Sequence, residues 1–341
     1  MVKKYIKKYG LPLVIVGGVG KLISITLVFV VWGHWFGGLM PSESSSLIVY
    51  VHPGDSEEDK LRHIMEDVNE AGGHGERLFN TIDWRGWSSR IKAGKYSVEP
   101  DASIGDIAKM FAAGDRQAIR VLVPAGRDLN VIAGKIAPNI AADSSELSRL
   151  IAPEGIRWQI IPNTYEMWWE IDAQGVVDRL LNESDIWWNE SRLELAEEIG
   201  LTPEEVVILA SIVSAETAVK SEAPIVAGLY LNRLKKGTPL QADPTLIYAA
   251  NDTSIKRVLD IHKEIDSPYN TYKYAGLPPG TIRTPEPTYI DAVLNATDHD
   301  YLFMCAKPGG EGTHNFAKRY SQHLVNARKY QSWLNKNRVY R

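Results

Sequence analysis

The sequence predicts an α+β protein with a single N-terminal transmembrane helix, a small α+β region after it, and a larger, mainly helical region with short β-hairpins. Three observations predict this class. An apolar run of membrane-spanning length follows the first ten residues, strand and amphipathic-helix patterns alternate up to residue 122, and helical 3–4 spacing dominates from residue 123. With 341 residues, the chain is long enough for two or three domains with their own cores.

The N-terminus indicates a membrane anchor. Residues 1–10 carry four lysines, residues 11–40 are apolar apart from Lys21 and a few neutral polar side chains, and residues 22–39 alone form a run of 18. A cleaved signal peptide is the alternative, but its apolar region would be about 7–15 residues long and would end at a small-residue cleavage site. The lysines place the tail 1–10 in the cytoplasm and everything after the anchor, beginning with the polar linker 41–46, outside.

Composition excludes several classes of function. The net charge is −4, and no basic stripe is interleaved with aromatic residues, so nothing indicates a nucleic-acid partner. The single cysteine, Cys305, cannot form an intramolecular disulfide, and the eight histidines show no metal-ligand spacing. We therefore expect neither a metal nor another cofactor.

The region 47–122 alternates strands and helices. The predicted elements, in chain order, are a strand at 47–54, a helix at 56–72, a strand at 91–98, a helix at 102–114 and a strand at 118–126. Ser56 and Ser103 are the expected N-caps, and glycines end both helices. The stretch 93–114 resembles a LysM-like subdomain, a fold associated with binding glycan chains. A mere spacer between the membrane and the rest of the protein is the alternative.

From residue 123 the pattern is mainly helical, with helices predicted at 128–140, 143–153 and 175–200 and a loop at 160–169. A further helix is predicted at 201–218, where Thr202 is the N-cap, Pro203 occupies the first helical position and two glutamates follow. Beyond its first turn this helix is apolar nearly all round, which indicates a core helix.

Glu216 lies near the C-terminus of that core helix, on the same face as the apolar residues three, four and seven positions before it. Burial and the negative end of the helix dipole both raise the pKa of a carboxyl group. A carboxylic acid that stays partly protonated near neutral pH is suited to act as a general acid. The alternative is a buried salt bridge, with Arg233 on the following helix as its partner.

Polar residues gather in the segments that follow. A helix capped by Ser221 ends at Lys235, Lys236 and Gly237, and a turn is predicted at 239–248. The last turns of the helix carry Asn232 and Arg233, and the turn carries Gln241, Asp243 and Thr245.

The stretch 267–287 contains three tyrosines, one asparagine and five prolines, so an ordered surface loop is expected. Aromatic and amide side chains on a stiff loop suit a sugar ligand, because rings stack on sugar faces and amides pair with hydroxyl and N-acetyl groups. The alternative is a rigid loop that only packs. The last pattern, at 301–317, predicts a β-hairpin bearing His314 and Asn315.

Five segments in this order resemble the YceG-like (MltG) endolytic murein transglycosylases. They are ASIVSAETA, VAGLYLNRL, LQADPTLIYA, YNTYKYAGLPPGTI and HNFA. The resemblance implies a catalytic domain at 123–341 that cleaves the β-1,4 bond between N-acetylmuramic acid and N-acetylglucosamine in nascent peptidoglycan, leaves a 1,6-anhydro end and so terminates strand elongation. Peptidoglycan strands and penicillin-binding wall synthases are the implied partners.

The resemblance also implies residue functions. Glu216 matches the catalytic glutamate. The implied substrate-binding positions are Asn232, Arg233, Gln241, Asp243, Thr245, Tyr269, Asn270, Tyr272, His314 and Asn315.

Two other functions stay open at this stage. The first is a hydrolytic muramidase in which Asp243 or Glu166 serves as base, since most glycosidases use two carboxylates. The second is a non-catalytic, membrane-anchored scaffold that binds glycan and recruits wall synthases.

Overall fold

The computed structural model describes residues 26, 32, 35–41, 45–255, 257–310 and 312–337. The chain forms two compact units: the first comprises Met1–Ile119 and Glu166–Ile171, and the second comprises Arg120–Tyr165 and Asp172–Arg341. The predicted α+β class is confirmed, because many helices accompany short antiparallel strand pairs.

The first unit has an antiparallel strand pair covered by helices. Its elements are β1 (Leu47–Val51), α1 (Glu57–Glu70), α2 (Gly75–Trp84), a 3₁₀ turn (Ser88–Arg90), β2 (Gly94–Val98) and α3 (Ile104–Ala113). In the register of the sheet Leu47 lies opposite Val98 and Val51 opposite Gly94. Alternate side chains of both strands, among them Val49 and Tyr96, point into a core that the helices complete.

The predicted helix boundaries in this unit are confirmed. The Ser56 and Ser103 hydroxyls accept the backbone N–H groups of Asp59 and Asp106, and Gly114 ends α3 in the left-handed conformation with φ of 67°. Helix α2 is absent from the sequence prediction, because its N-cap His74 makes no side-chain capping bond and so gives no start signal.

Most of the predicted anchor, 11–40, lies outside the described residues. In the part of the chain that the structure does describe, no helix combines the length and hydrophobicity needed for a bilayer span. The end of the predicted anchor lies in the core of the first unit: Leu39 and Met40 are buried there, and the backbone of Leu39 accepts the N–H of His74 at 2.9 Å.

Strands β3 (Ala118–Val123) and β4 (Asn163–Trp168) pair with each other. The prediction of a loop at 160–169 is therefore wrong for most of its length. Tyr165 and Met167 are buried and their neighbours are exposed, which is the alternation of a strand, but the Pro-Asn break before it and the aromatic run at its end obscure the pattern.

The second unit is mainly helical. Its helices are α4 (Leu129–Ile136), α5 (Ser144–Ile151), α6 (Glu154–Arg157), α7 (Ala173–Trp187), α8 (Glu190–Ile199), α9 (Pro203–Glu216), α10 (Ala223–Lys235), α11 (Asp243–Ala249), α12 (Asp260–Lys263), α13 (Pro287–Leu294) and α14 (Tyr320–Lys336). A 3₁₀ turn (Ala137–Asn139) follows α4, and β5 (Phe303–Ala306) pairs antiparallel with β6 (His314–Ala317), which confirms the predicted hairpin.

Helix α9 is the central helix of this unit. Every residue from Val206 to Val213 is buried, and α9 packs against α10 and α13. Its start is fixed by a capping box in which the Thr202 hydroxyl accepts the N–H of Glu205 while the Glu205 carboxylate accepts the N–H of Thr202. Glu216 is the last residue of α9, which confirms the prediction that it lies near the C-terminus of this helix.

Three predictions in this unit are wrong. The helix predicted at 175–200 is two helices, α7 and α8, because the Asn189 side chain caps a new helix by accepting the N–H of Arg192. Helix α10 begins after Glu222 rather than Ser221, and Glu222 makes no capping bond because its carboxylate accepts from His314 instead. The segment predicted as a turn at 239–248 contains helix α11, whose second residue is Pro244, a residue that the first turn of a helix tolerates. Helices α6 and α12 to α14 were not predicted.

Candidate active site

A pocket of about 360 Å³ opens at the C-terminal end of α9. Its walls come from α10, the start of α11, the hairpin β5–β6 and helix α14. The side chains with polar groups are Glu216, Tyr230, Arg233, Gln241, Asp243, Tyr272, His314, Tyr320 and His323, and the apolar part is contributed mainly by Leu229, Leu240 and Leu302–Ala306.

Glu216 is half-buried in this pocket and has a perturbed acidity. Burial raises the pKa of its carboxyl group to about 7, the hydrogen bond from Tyr230 opposes this rise, and the negative charge of Asp243 adds to it. The Tyr230 hydroxyl donates to Glu216 Oε1 at 2.8 Å. Glu216 is thus held as an acid that is about half protonated near neutral pH.

Arg233 does not pair with Glu216, so the buried-salt-bridge alternative is wrong. Arg233 is only 6% exposed, and its Nε and Nη1 donate to other acceptors. Nε donates to the carbonyl of Leu302 at 2.7 Å, and Nη1 donates to Pro239 O at 2.9 Å, Leu240 O at 3.0 Å and the Gln241 amide oxygen at 3.1 Å. Arg233 therefore ties the segment before α11 to the start of β5, two walls of the pocket.

Asp243 and Tyr272 form the second polar group in the pocket. The Tyr272 hydroxyl donates to Asp243 Oδ1 at 2.6 Å, and burial is the largest cause of a raised pKa for Tyr272. Asp243 itself is exposed, at the first position of α11. The pocket therefore offers one carboxyl group that is shielded from water and one that is open to it.

Gln241 and His314 also line the pocket. Gln241 lies in a turn with a strained backbone, and His314 lies on a strand. Gln241 has φ of 53°, a left-handed backbone conformation that is uncommon for a residue other than glycine. His314 lies on β6, where Glu222 accepts its backbone N–H at 2.9 Å and lies 3.0 Å from its ring Nδ1. Both side chains line the pocket and both are held by named partners.

Asn232 and Asn315 are predicted site residues that do not line the pocket. The Asn232 side-chain amide donates to the carbonyls of His299 at 2.5 Å and Tyr301 at 3.3 Å, which fixes the segment that leads into β5. Asn315 lies opposite Cys305 in the hairpin register.

Thr245, Tyr269 and Asn270 also lie outside the pocket lining. Thr245 is fully buried, and its hydroxyl donates to Ala242 O at 2.7 Å. Asn270 is fully buried, and its amide donates to the carbonyls of Lys263 and Ile265 at 2.9 and 2.7 Å. The ring of Tyr269 packs on Tyr248, with 4.7 Å between centroids. These contacts hold the 263–272 loop beside the pocket.

The sequence prediction missed several lining residues. Tyr230, the hydrogen-bond partner of Glu216, was missed although a buried tyrosine usually finds a partner for its hydroxyl. Tyr320 and His323 come from α14, a helix that was not predicted. Glu166, one of the two carboxylates considered as a base, is exposed on β4 and is not among the lining residues.

Among the described residues no group of three histidine, cysteine, aspartate or glutamate side chains could hold a metal ion. The chemistry open to these side chains is proton transfer by Glu216, combined with hydrogen bonding from the amide, phenol and imidazole groups around it.

The fold and the pocket define an α+β protein with one shielded, protonatable acid at the end of a core helix. A model of the YceG-like family matches residues 49–329, and the chain belongs to that family.

Relatives named endolytic murein transglycosylase match different shares of the chain. The Bacillus subtilis (strain 168) protein is 40% identical over 131 residues, which is 38% of this chain and 36% of the relative. The Streptococcus pneumoniae (strain R6) protein is 25% identical over 351 aligned positions, which cover 87% of this chain and 62% of the relative. The chain thus spans less than two thirds of the length of these relatives.

A solved structure shares the fold. The crystal structure of a YceG-like protein from Listeria monocytogenes superposes with a TM-score of 0.52 at 21% identity, covering 83% of this chain and 99% of the other.

Proposed function

We propose that this protein is an endolytic lytic transglycosylase that cleaves the β-1,4 bond between N-acetylmuramic acid and N-acetylglucosamine in nascent peptidoglycan. The observation that carries the proposal is Glu216, an acid whose pKa is raised to about 7 in a pocket of sugar-binding side-chain types. The names of the relatives, and membership of the YceG-like family, support the same reaction.

The first step is protonation of the leaving group. Glu216, in its protonated form, gives its proton to the glycosidic oxygen as the bond between that oxygen and the anomeric carbon of the muramyl residue breaks. Because Tyr230 donates to Oε1, the proton is carried by Oε2. The same hydrogen bond stabilises the carboxylate that remains.

The second step returns the proton. The Glu216 carboxylate accepts the proton of the muramyl 6-hydroxyl, whose oxygen attacks the anomeric carbon and closes the 1,6-anhydro ring. The reaction consumes no water. The nucleophile belongs to the substrate and is already close to the reacting carbon, so no second carboxylate has to act as nucleophile.

We assign the binding of sugar hydroxyl and N-acetyl groups to Gln241, Asp243, Tyr272 and His314, which line the pocket. Arg233 holds two of its walls. The remaining predicted residues support the surrounding segments through the contacts described above: Asn232, Thr245, Tyr269, Asn270 and Asn315.

Hydrolysis is the second candidate, and the presence of Asp243 in the same pocket favours it. In that reaction Asp243 activates a water molecule and Glu216 remains the acid. The products differ by one water, because transglycosylation leaves a 1,6-anhydro end and hydrolysis leaves a reducing end. Mass spectrometry of the released glycans therefore separates the two reactions.

The test uses Glu216→Gln on purified peptidoglycan, with Glu198→Gln as a matched control because Glu198 is exposed on α8. We expect wild type and the control to release fragments with anhydro ends and Glu216→Gln to release none. Products with reducing ends would establish hydrolysis instead. Equal cleavage by Glu216→Gln would refute the assignment, and glycan binding with no cleavage by wild type would indicate the scaffold.

For the location of the enzyme, we propose a single-pass protein of the cell membrane with a cytoplasmic N-terminus and an external catalytic domain. The lysine-rich residues 1–10 and the apolar run after them support this orientation. Because Leu39 belongs to the core of the first unit, we place the end of the anchor before residue 37. Protease added to spheroplasts is expected to digest the catalytic domain and to leave an N-terminal tag intact; a protected domain would contradict the orientation.

We further propose that the LysM-like subdomain at 47–122 contacts the glycan strand and that the protein works beside penicillin-binding wall synthases. An enzyme anchored in the membrane acts where new strands emerge, which supports both proposals. Crosslinking in intact cells followed by mass spectrometry tests them, and recovery of neither glycan nor a synthase would count against them.

A further inference from the structure

A second cavity in the same unit carries three arginines. It has a volume of about 680 Å³ and lies between the start of α4 and the ends of α5, α6 and α11. Arg127, Arg149 and Arg157 all line it, together with Tyr248. None of these arginines takes part in the proposed proton transfer, so the cavity needs a separate explanation.

The positive charge in this cavity is not neutralised by an ion pair. Among the side chains that the structure describes, no carboxylate forms a salt bridge with Arg127, Arg149 or Arg157. Asp143 and Asp252 interact with Arg149 and Arg127 only through longer-range electrostatics. Three guanidinium groups around one cavity, without direct partners of opposite charge, favour an anionic ligand.

Arg157 combines two hydrogen bonds with one buried donor that has no acceptor among the described residues. It is only 8% exposed, Nη1 donates to the Tyr248 hydroxyl and Nη2 to the carbonyl of Arg127, both at 2.8 Å. Its Nε–H, in contrast, is buried and has no acceptor among the described residues. A buried donor without an acceptor is costly unless a ligand or water supplies one.

The rest of the lining favours a carboxylate on a peptide over a phosphate. The carboxylate of Asp128 also lines the cavity, and it would repel a doubly charged phosphate more than a singly charged carboxylate. Asp128 and the side chains of Asn130, Ser148 and Asn251 can pair with peptide N–H and carbonyl groups.

Helix α11 connects this cavity to the pocket around Glu216. Asp243, at the start of the helix, lines the pocket, and Tyr248, near its end, lines the arginine cavity. They are five positions apart in the helix, a rise of about 8 Å along its axis. A peptide of three residues spans about 10 Å when extended, which is longer than this axial rise.

We propose that the cavity lined by Arg127, Arg149 and Arg157 binds a free carboxylate of the stem peptide carried by the glycan strand that Glu216 cleaves. The proposal rests on the proposed function, because it takes its ligand from the same polymer. It places recognition of the stem peptide at a site separate from the proton-transfer pocket.

The test measures binding without cleavage. Full-length Glu216→Gln protein is titrated with fluorescently labelled glycan strands in two forms: native strands, and strands whose stem carboxylates have been converted to methylamides with a carbodiimide. Arg149→Gln is then added to this protein. Arg149 is exposed, so its replacement disturbs folding less than replacement of the buried Arg157 would. Arg179→Gln is the matched control, because Arg179 lies on α7 in a surface pair with Glu183.

We expect the Kd for native strands to rise about 3- to 10-fold with Arg149→Gln, in line with the loss of one charge-assisted contact. The Kd for amidated strands, already weaker, stays unchanged, and Arg179→Gln changes neither. The proposal is overturned if native and amidated strands bind equally well, or if Arg149→Gln weakens both alike. It is also overturned if inorganic pyrophosphate displaces native strands at concentrations where an acetylated tripeptide with a free carboxylate does not.

Failure of the proposed function gives a different result. In that case wild-type protein produces no anhydro ends from peptidoglycan, regardless of the Kd values measured for native and amidated strands. The binding comparison decides only whether the arginines recognise the stem carboxylate.

Discussion

Replacing Glu216 by glutamine is expected to remove a pH-dependent loss of stability from the second unit. The glutamine has nearly the shape of the protonated acid, and its side-chain oxygen can still accept the Tyr230 hydroxyl that now donates to Oε1 at 2.8 Å. The substitution therefore removes the ionisation of residue 216 while it keeps the packing at the end of α9.

The size of the effect follows from the acidity of Glu216. Its pKa is raised from 4.5 to about 7, mainly by burial, so the carboxylate is less favourable in the folded state than in the unfolded chain. Below pH 4.5 both states are protonated and nothing is lost. As the pH rises from 4.5 to about 7 the folded wild type loses stability, and at higher pH the loss is complete at about 3 kcal/mol.

The assay is thermal unfolding of the full-length protein at a series of pH values between 4 and 9. For a unit of this size, about 3 kcal/mol corresponds to a Tm difference of about 6–12 °C. We expect Glu216→Gln and wild type to unfold at nearly the same temperature at pH 4 and the variant to be the more stable protein above pH 7. Glu198→Gln removes the same charge from an exposed position on α8 and controls for net charge.

A Tm difference that does not change with pH, or one that matches the Glu198→Gln control, would refute the reasoning. Either result would mean that the Glu216 carboxylate is as well solvated in the folded protein as in the unfolded chain. The general-acid assignment would then lose its physical basis, even if the residue were needed for cleavage.

Three further predictions concern the groups around Glu216. Cleavage requires the protonated form of Glu216, so kcat/KM is expected to fall as the pH rises through about 7. Tyr230→Phe removes the hydrogen bond that stabilises the carboxylate, so this fall should move to higher pH by about one unit. A pH–rate profile of the variant measures the shift. Asp243→Asn removes the charge that disfavours the carboxylate and should move the same fall to lower pH by roughly half a unit; a shift in the direction found for Tyr230→Phe would contradict the assigned electrostatics. Arg233→Met leaves the carbonyls of Leu302, Pro239 and Leu240 without their donor. In a denaturant titration the unfolding free energy should fall by about 2–4 kcal/mol. A loss below about 1 kcal/mol would show that these carbonyls accept from other donors.

The central helix could be predicted from sequence because several local signals agree. Thr202 and Glu205 form the capping box that their spacing indicates, and the apolar run from Val206 to Val213 is buried throughout. The position of Glu216 at the end of this run then follows from the helix alone. The position of Glu216 and the direction of its pKa shift could therefore be predicted from the sequence.

The surroundings of the acid depend on contacts between distant parts of the chain, and a single sequence does not fix those. Thr245 and Asn270 belong to the recognised motifs, yet both are fully buried and form their hydrogen bonds with neighbouring groups of the protein, mostly backbone carbonyl and N–H groups. Polar side chains in an irregular, proline-rich segment are as useful for satisfying backbone groups as for binding a ligand. Sequence pattern does not distinguish these two uses.

Tyr230, which the sequence prediction missed, shows that a single sequence also does not identify which distant residues come into contact. On α10 it is one of several buried residues in the stretch Val226–Leu231, and only the packing of α10 against α9 brings its hydroxyl to Glu216. The signal was present in a general form, since a buried tyrosine needs a partner, but the choice of partner is a property of the fold.

Burial is the largest cause of the raised pKa of Glu216, and the rise also requires that Arg233 forms no ion pair with its carboxylate. The two residues lie in one pocket, and a direct ion pair between them would favour the carboxylate and lower its pKa, leaving a poor acid near neutral pH. Arg233 is instead occupied by the carbonyls of Leu302, Pro239 and Leu240 and by the Gln241 amide oxygen, which leave its Nε and Nη1 no free hydrogen for a carboxylate. By binding Nε and Nη1, the backbone segments that line the pocket hold the guanidinium in place, and the hydrogen bond that Glu216 accepts comes from the neutral phenol of Tyr230. A variant that frees Arg233 from these carbonyls without unfolding the unit, such as Gln241→Ala combined with a shortened 237–240 segment, is expected to move the decline of kcat/KM to lower pH.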